Sequence, residues 1–533
     1  MPGPLTTTVF DRRTLLKAAA GAGLLLPGLP LIGSSPVRAE FKTNPFTLGI
    51  ASGDPAPDGF VIWTRLAPEP LLARGGMAPA PVEVTWQVAA DPAMTQVVRS
   101  GTAIARIELG HSVHVEVDGL APARDYFYRF RAGDVEGPVG RSRTLPAPGS
   151  DVTQLRFAAA GCQLWEGGYY TAWRGLAEEN VDLVFHYGDY IYENPYIETD
   201  RAGHPLPRLL PKDFAACITL SDYRQRYALY KTDPDLQAAQ ASAPFLSSFD
   251  DHEVTDNWAA DTDPKNTPAE AFLFRRAAAF QAWYEHMPVR RALLPRGPDV
   301  LAYRRFPIGK LADIAVLDTR QYRSKQACGD GFKPCAEAEA ASRTMMGVRQ
   351  EGWLTEAYRG EVAIWQVLAQ QVLFAHFDWR PYPWVAPAEA PAVDLDAWDG
   401  ASAARDRMMR LWREAKVINP VVLTGDVHKG AALELKDDWR DPGSRCAGVE
   451  FLATSISSGG DGEAVMSQAD ALHASNPHMK FISDQRGYHR HTVTAKEWRA
   501  DFRAVARIST PGAPVATVKS FVVEAGKPGL SEA

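Results

Sequence analysis

The sequence predicts an all-β domain followed by a larger α/β domain. Three observations predict it. The chain has 533 residues with 46% hydrophobic composition, enough for a large core and too long for one ordinary domain. Between 44 and 147 the apolar residues alternate with period two. After the Pro/Gly/Ser-rich stretch "LPAPGSDVTQ" the pattern changes to short apolar runs separated by amphipathic helical stretches such as "EAFLFRRAAAFQAWYEHM".

The first 39 residues read as an address. Arg12 and Arg13 precede an interrupted apolar run from Ala18 to Ile32, and "VRA" places small Ala39 at a cleavage point. The segment resembles a twin-arginine export signal, although Asp11 stands where Ser or Thr is usual. It predicts a partnership with the twin-arginine translocase and a periplasmic or secreted location; an uncleaved N-terminal anchor is the alternative. The run is too short and broken for a stable membrane span.

In 44–147, "HSVHVEVDGL" and "ARDYFYRFRAG" alternate apolar and polar residues around a Gly-Leu-Ala-Pro turn. This predicts a small β-sandwich of immunoglobulin or fibronectin type. From 153 to 525, six runs read as strands: "LRFAAAG", "VDLVFHYG", "FLSSFDD", "LADIAVLDTR", "AIWQVLAQQ" and "NPVVLTGDVH". A net charge of −7 carries no basic excess, so a nucleic-acid partner is not expected. Of five cysteines, Cys328 and Cys335 in "CGDGFKPC" are spaced to close a surface loop, while Cys217 and Cys446 have no partner by spacing.

The ends of those strands carry the chemistry. They present Cys162; Asp189 and Tyr192; Asp250, Asp251, His252 and Glu253; Gln370 and Gln371; and Asp426 with His428. Ligands gather where strands of open α/β sheets end. Singly, each residue has another reading: Asp189 as an N-cap, Cys162 as a small buried hydrophobe, His252 as a structural hydrogen-bonding group. Their recurrence at five strand ends points to a metal site.

"GDYIY", "DDHEVTDNW", "VLDTRQYR" and "LTGDVHKG", with "LGIASGDP…VIWTRLAP" and "NPHMKFISDQRGYHR" outside the site, resemble the motifs of PhoD-type alkaline phosphatases, a family of calcineurin-like metallophosphoesterases. The resemblance implies a four-layer β-sandwich flanked by helices, preceded by a fibronectin-like domain, and a monomeric exported enzyme. It implies Fe(III) on Cys162, Asp189, Tyr192 and His428, with Asp189 bridging to a second site. There Asp251, Asp426 and Gln371 (or Gln370) replace amide and imidazole ligands by oxygen, which suits one or two Ca²⁺ ions. Bottom-up, the first set also fits zinc.

The activity so implied is hydrolysis of phosphate monoesters or diesters by a metal-bound hydroxide. His252 is then the group that stabilises the transition state or protonates the leaving oxygen. Arg320 and Arg323 are candidate phosphate clamps, equally readable as salt bridges, and Asn257 is a candidate substrate contact. Met345, Met346 and the tryptophans read as core or pocket wall. The rival readings are a phospholipase D-like diesterase, a non-catalytic surface-binding protein, and an iron oxidoreductase, for which no organic-cofactor site is recognisable.

Overall fold

The computed structural model describes residues 40–200, 203–360, 363–441 and 443–533. The twin-arginine segment lies outside them. Among the described residues no helix is long and apolar enough to cross a membrane.

All six runs form strands, Leu155–Ala160, Leu183–His186, Pro244–Ser247, Ala312–Val316, Trp365–Ala369 and Pro420–Thr424, divided between two large mixed sheets. In the ten-stranded sheet, Leu183–His186 runs parallel to Leu155–Ala160 on one side and to Pro244–Ser247 on the other. In the seven-stranded sheet, Ala312–Val316, Trp365–Ala369, Pro420–Thr424 and Cys446–Leu452 are successive parallel neighbours. Their apolar character on both faces has a simple cause. One face packs on the other sheet and the opposite face packs on helices.

Between the sheets lie Phe157, Phe185 and Leu246 from the first and Ile314, Val367, Val421 and Phe451 from the second. Each such side chain, fully buried, contributes about 1.5–3 kcal/mol. On the outer face of the first sheet, the helix Ala269–His286 buries Phe272, Phe280 and Trp283 at helical spacing and stops before Pro288. Helices Gly347–Ala357 and Ser402–Glu414 cover the second sheet through Leu354, Met408, Met409 and Trp412. The result is the helix–sheet–sheet–helix layering expected from the resemblance.

The N-terminal β region supplies a finding the sequence did not reveal. Strands Ile50–Ala56, Gly59–Arg65 and Ser112–Val117 extend the ten-stranded sheet, with Ser52 paired in parallel to Pro244. A separate five-stranded sheet, which includes Val82–Ala89, Val97–Ala105 and Asp125–Ala132, packs over them through Val84, Tyr128, Phe130, Ile62 and Val113. The turn after Gly119 therefore carries the chain from one sheet to the other. At the opposite edge, four C-terminal strands between Gly487 and Glu532 complete the large sheet as an antiparallel meander.

Candidate metal centre

The parallel strands of both sheets end on one side of the molecule, and there the backbone leaves the ordinary region. Cys162, Asp189, Asn257, Asp426 and His428 all have positive φ, between 49° and 69°. Non-glycine residues seldom adopt this conformation, and it clusters where geometry serves function. Gly188 makes one close approach possible: a Cβ there would lie 2.5 Å from Asp250 Cβ. No helix begins after Asp189; the next starts at Leu220, so Asp189 is not a helix cap. Its backbone N–H donates instead to Glu253, which also accepts from the N–H groups of Tyr190 and Asp250.

Around Asp189 the side chains converge in two groups. Its Oδ2 lies 3.3 Å from Cys162 Sγ, 3.1 Å from the Tyr192 hydroxyl and 3.9 Å from His428 Nε2, and Tyr192 lies 3.0 Å from His428 Nε2. The second group unites Asp189, Asp250, Asp251 and Asp426, whose ligand atoms fall within 4.8 Å of one another. Asp189 belongs to both. Buried Asp189 Oδ1, Asp250 Oδ2 and Asp251 Oδ1 have no hydrogen-bond partner. Buried oxygens of this kind are costly unless a cation takes them up, so the donor set fits metal binding.

The electrostatics agree. Burial, followed by the charges of Asp189, Asp426 and Asp250, pushes the Cys162 thiol well above its ordinary range. Burial, then Asp189 and Cys162, does the same to the Tyr192 phenol, and burial raises Asp189 strongly. His428 is brought down to about 3 by burial, with Arg486 and His252 adding to it, so its ring is neutral and offers a lone pair. Only positive charge at the centre lets so many anionic ligands ionise together.

Neighbouring groups hold the ligands in place. Tyr230 and Arg226, on the helix Leu220–Lys231, bond the Tyr192 backbone N–H and carbonyl. Ser458 Oγ lies 2.7 Å from the Tyr192 oxygen and 2.9 Å from the Cys162 carbonyl. Arg486 donates to the His428 carbonyl. Above the cluster opens a cleft of about 560 Å³, lined by Asp189, Asp251, His252, Asn257, Asp426 and His428 among others. His252 Nδ1 is 2.7 Å from Glu193, and Nε2, on the cleft side, is 3.8 Å from Asp256. Burial opposes charge on this ring, but Asp251, Glu193 and Asp189 outweigh it and hold the imidazolium well above its ordinary range.

Three expectations are corrected. Arg320 is fully buried (0% exposed) and does not line the cleft: its Nε is 2.5 Å from Asp250 and its Nη1 2.6 Å from Asp396. Arg323 is likewise buried and pairs with Asp396 at 3.2 Å. Gln371 has spent its amide on other partners, accepting from Thr319 and donating to Ser248 and Leu317, while Gln370 bonds Val372 and Trp398. A glutamine so satisfied has no free oxygen pointing at the acids.

The structure also adds roles that sequence reasoning did not assign: Asp250 joins the second ligand group, Glu193 and Glu253 act as anchors, Asp396 is the counterion of both arginines, and Ser458 bonds Tyr192. The doubled acid in "DDHE" and the Glu that closes "GDYIYE" were the available signals; Asp396 and Ser458 carried none. Cys328 and Cys335 form a disulfide, whereas Cys217 and Cys446 are free.

Comparison with known proteins agrees along the whole chain. Residues 157–502 match the family described as PhoD-like phosphatase, and 33–146 match that family's N-terminal domain. The chain is 45% identical to alkaline phosphatase D of Bacillus subtilis (strain 168), across 98% of this chain and 89% of that protein. A solved structure described as the structure of PhoD superposes with a TM-score of 0.88 at 46% identity, covering 93% of each chain. Sheets, strand-end cluster and sequence together place this chain in the PhoD-like phosphatase family, and it is a phosphoric ester hydrolase.

Proposed function

We propose that the chain is an exported, metal-dependent alkaline phosphatase that hydrolyses phosphate monoesters, diesters or both, with Fe(III) held by Cys162, Asp189, Tyr192 and His428 and Ca²⁺ held by Asp189, Asp251 and Asp426, joined by Asp250. The observation that carries this reading is the position of Asp189 in both ligand groups. Thiolate, phenolate and imidazole favour a transition metal; four carboxylates favour a hard cation. When bound, the two cations supply Lewis-acid charge for the phosphoryl oxygens and for a nucleophilic water.

The chain's own residues do the rest. Glu193 accepts from His252 Nδ1, fixes the ring and favours the imidazolium, so Nε2 carries a proton toward the cleft. As the P–O bond to the alcohol breaks, that proton passes to the leaving oxygen. Asn257, on the cleft wall, holds Asp251 through its backbone N–H and is placed to contact substrate. Residues 1–39 serve as the twin-arginine leader, 44–147 as a β-sandwich that shares the ten-stranded sheet, and 153–525, with the edge strand that follows it to Glu532, as the catalytic domain of a periplasmic or secreted monomer.

The test is metal analysis of the purified folded protein joined to chelation. The reading expects iron and calcium on the same chain, loss of activity on a calcium chelator and recovery on adding Ca²⁺. Full activity in protein stripped of calcium would sink the calcium assignment, and iron-free active protein would sink the iron assignment.

A further inference from the structure

One wall of the cleft plays no part in binding metal or moving protons. It consists of Phe332, Trp379, Tyr382 and Trp384. Phe332 lies 4.9 Å from Trp379 and 4.7 Å from Trp384, ring centre to ring centre, and Tyr382 stacks on Trp384 at 5.1 Å. Trp379 and Tyr382 are buried, but Trp384 is 56% exposed, the only tryptophan so open among the described residues. Core packing does not account for a tryptophan held with its face in the mouth of a catalytic cleft.

The wall is fixed relative to the proposed metal ligands. Phe332 belongs to the loop closed by the Cys328–Cys335 disulfide and pairs across a short two-stranded sheet with Asp394. Asp330 in the same loop accepts from Asn257 Nδ2 at 2.7 Å, and the Asn257 N–H donates to Asp251 at 2.7 Å. One disulfide-closed loop and two hydrogen bonds thus connect Phe332 to the acid cluster.

The geometry limits what can sit there. Rings this close touch one another and leave no space between them, so they do not enclose a cation; Phe332 meets Trp379 and Trp384 edge to face, at 60° and 75°, and the exposed Trp384 is the ring open to a ligand. The polar groups at the edge of the wall, Asp330 and Asp394, are carboxylates and ask for hydrogen-bond donors. We propose that this wall is a subsite for the alcohol half of the ester and selects a planar, amino-bearing heteroaromatic ring, as in a nucleoside ester, stacked on Trp384 with its amino group donated to Asp330 or Asp394. This rests on the phosphoric ester hydrolase reading above.

The experiment compares wild type with Trp384→Ala and Trp384→Phe on adenosine 5′-monophosphate, glycerol 2-phosphate and phosphocholine, and measures adenosine binding by equilibrium dialysis. In Trp384→Ala the ratio of kcat/KM for the adenosine ester over the glycerol ester falls about tenfold or more, chiefly through KM, and adenosine binding weakens in parallel. Trp384→Phe, which keeps a ring, recovers most of both. An unchanged ratio, or equal losses on the two esters, overturns the subsite while leaving the hydrolase reading intact. A loss confined to phosphocholine overturns it in favour of a cation over the ring face. Hydrolysis of no ester by metal-loaded wild type overturns the hydrolase reading and the subsite with it.

Discussion

The two large sheets contribute to one site in unequal ways. The ten-stranded sheet sends Cys162, Asp189, Tyr192, Asp250, Asp251 and His252 to the cluster, several with buried oxygens that have no protein partner. The seven-stranded sheet sends Asp426 and His428, but its other strand ends deliver Arg320, Arg323, Gln370 and Gln371, most of whose polar atoms are already committed to protein partners. Position at a strand end is therefore not enough to make a ligand. What separates the ligand carboxylates from the two glutamines is whether the surrounding chain has left an oxygen free, while Arg320 and Arg323 have no lone pair to give and serve as counterions.

The sharpest way to break that contrast is at Asp189, the shared carboxylate. Asp189→Asn should remove both ions in metal analysis and lower kcat/KM by at least about 10²–10³-fold, the scale of losing one electrostatic stabiliser of the transition state. Normal metal content in this variant would mean the two groups are independent. On the supporting side, Arg320→Met should strand Asp250 without its cation, leave Asp396 with Arg323 alone, and cost about 3–5 kcal/mol in denaturant unfolding. A stable Arg320→Met variant with weakened substrate binding would return the arginine to the role of clamp.

Smaller effects sharpen the picture. Glu193→Gln should slow turnover about 10–100-fold, with iron and calcium retained, because it loosens His252 and not the ligands. Tyr192→Phe should shift or erase the visible charge-transfer band and weaken iron retention, read by absorption and metal analysis, while calcium stays. At the low end, Gln371→Leu should leave both metals in place and cost about 1–3 kcal/mol of stability, from the donors at Thr319 it leaves unpaired. Loss of calcium in that last variant would make Gln371 a ligand after all.

Much of this site was legible because strand ends concentrate it. Runs such as Leu183–His186 are short, apolar and bounded by Gly188, so their ends, and the residues just beyond, can be located by eye. The sequence shows Asp250 at its strand end but assigns it no ligand role, because it stands beside Asp251 and neighbouring acids cannot be ranked without knowing which faces the other strands. Arg320 reads equally as clamp or counterion, since the deciding residue, Asp396, comes from a distant loop that carries no pattern of its own. The aromatic wall was invisible for the same reason: Phe332 and Trp384 meet only because a disulfide loop folds over the segment that follows the second parallel strand of the second sheet, Trp365–Ala369.

The pairing of Ser52 with Pro244 bears on when the molecule can become whole. The strand Ile50–Ala56 is made early by the ribosome, yet its parallel neighbour Pro244–Ser247 emerges only after about the first quarter of the catalytic region has been synthesised. Until then one edge of the sandwich stays open, a row of unsatisfied amides and carbonyls that any other extended chain can join. The N-terminal module cannot finish folding as an independent first unit. Its closure is a long-range, late event, which makes the nascent chain slow to mature and dependent on protection from aggregation during that interval.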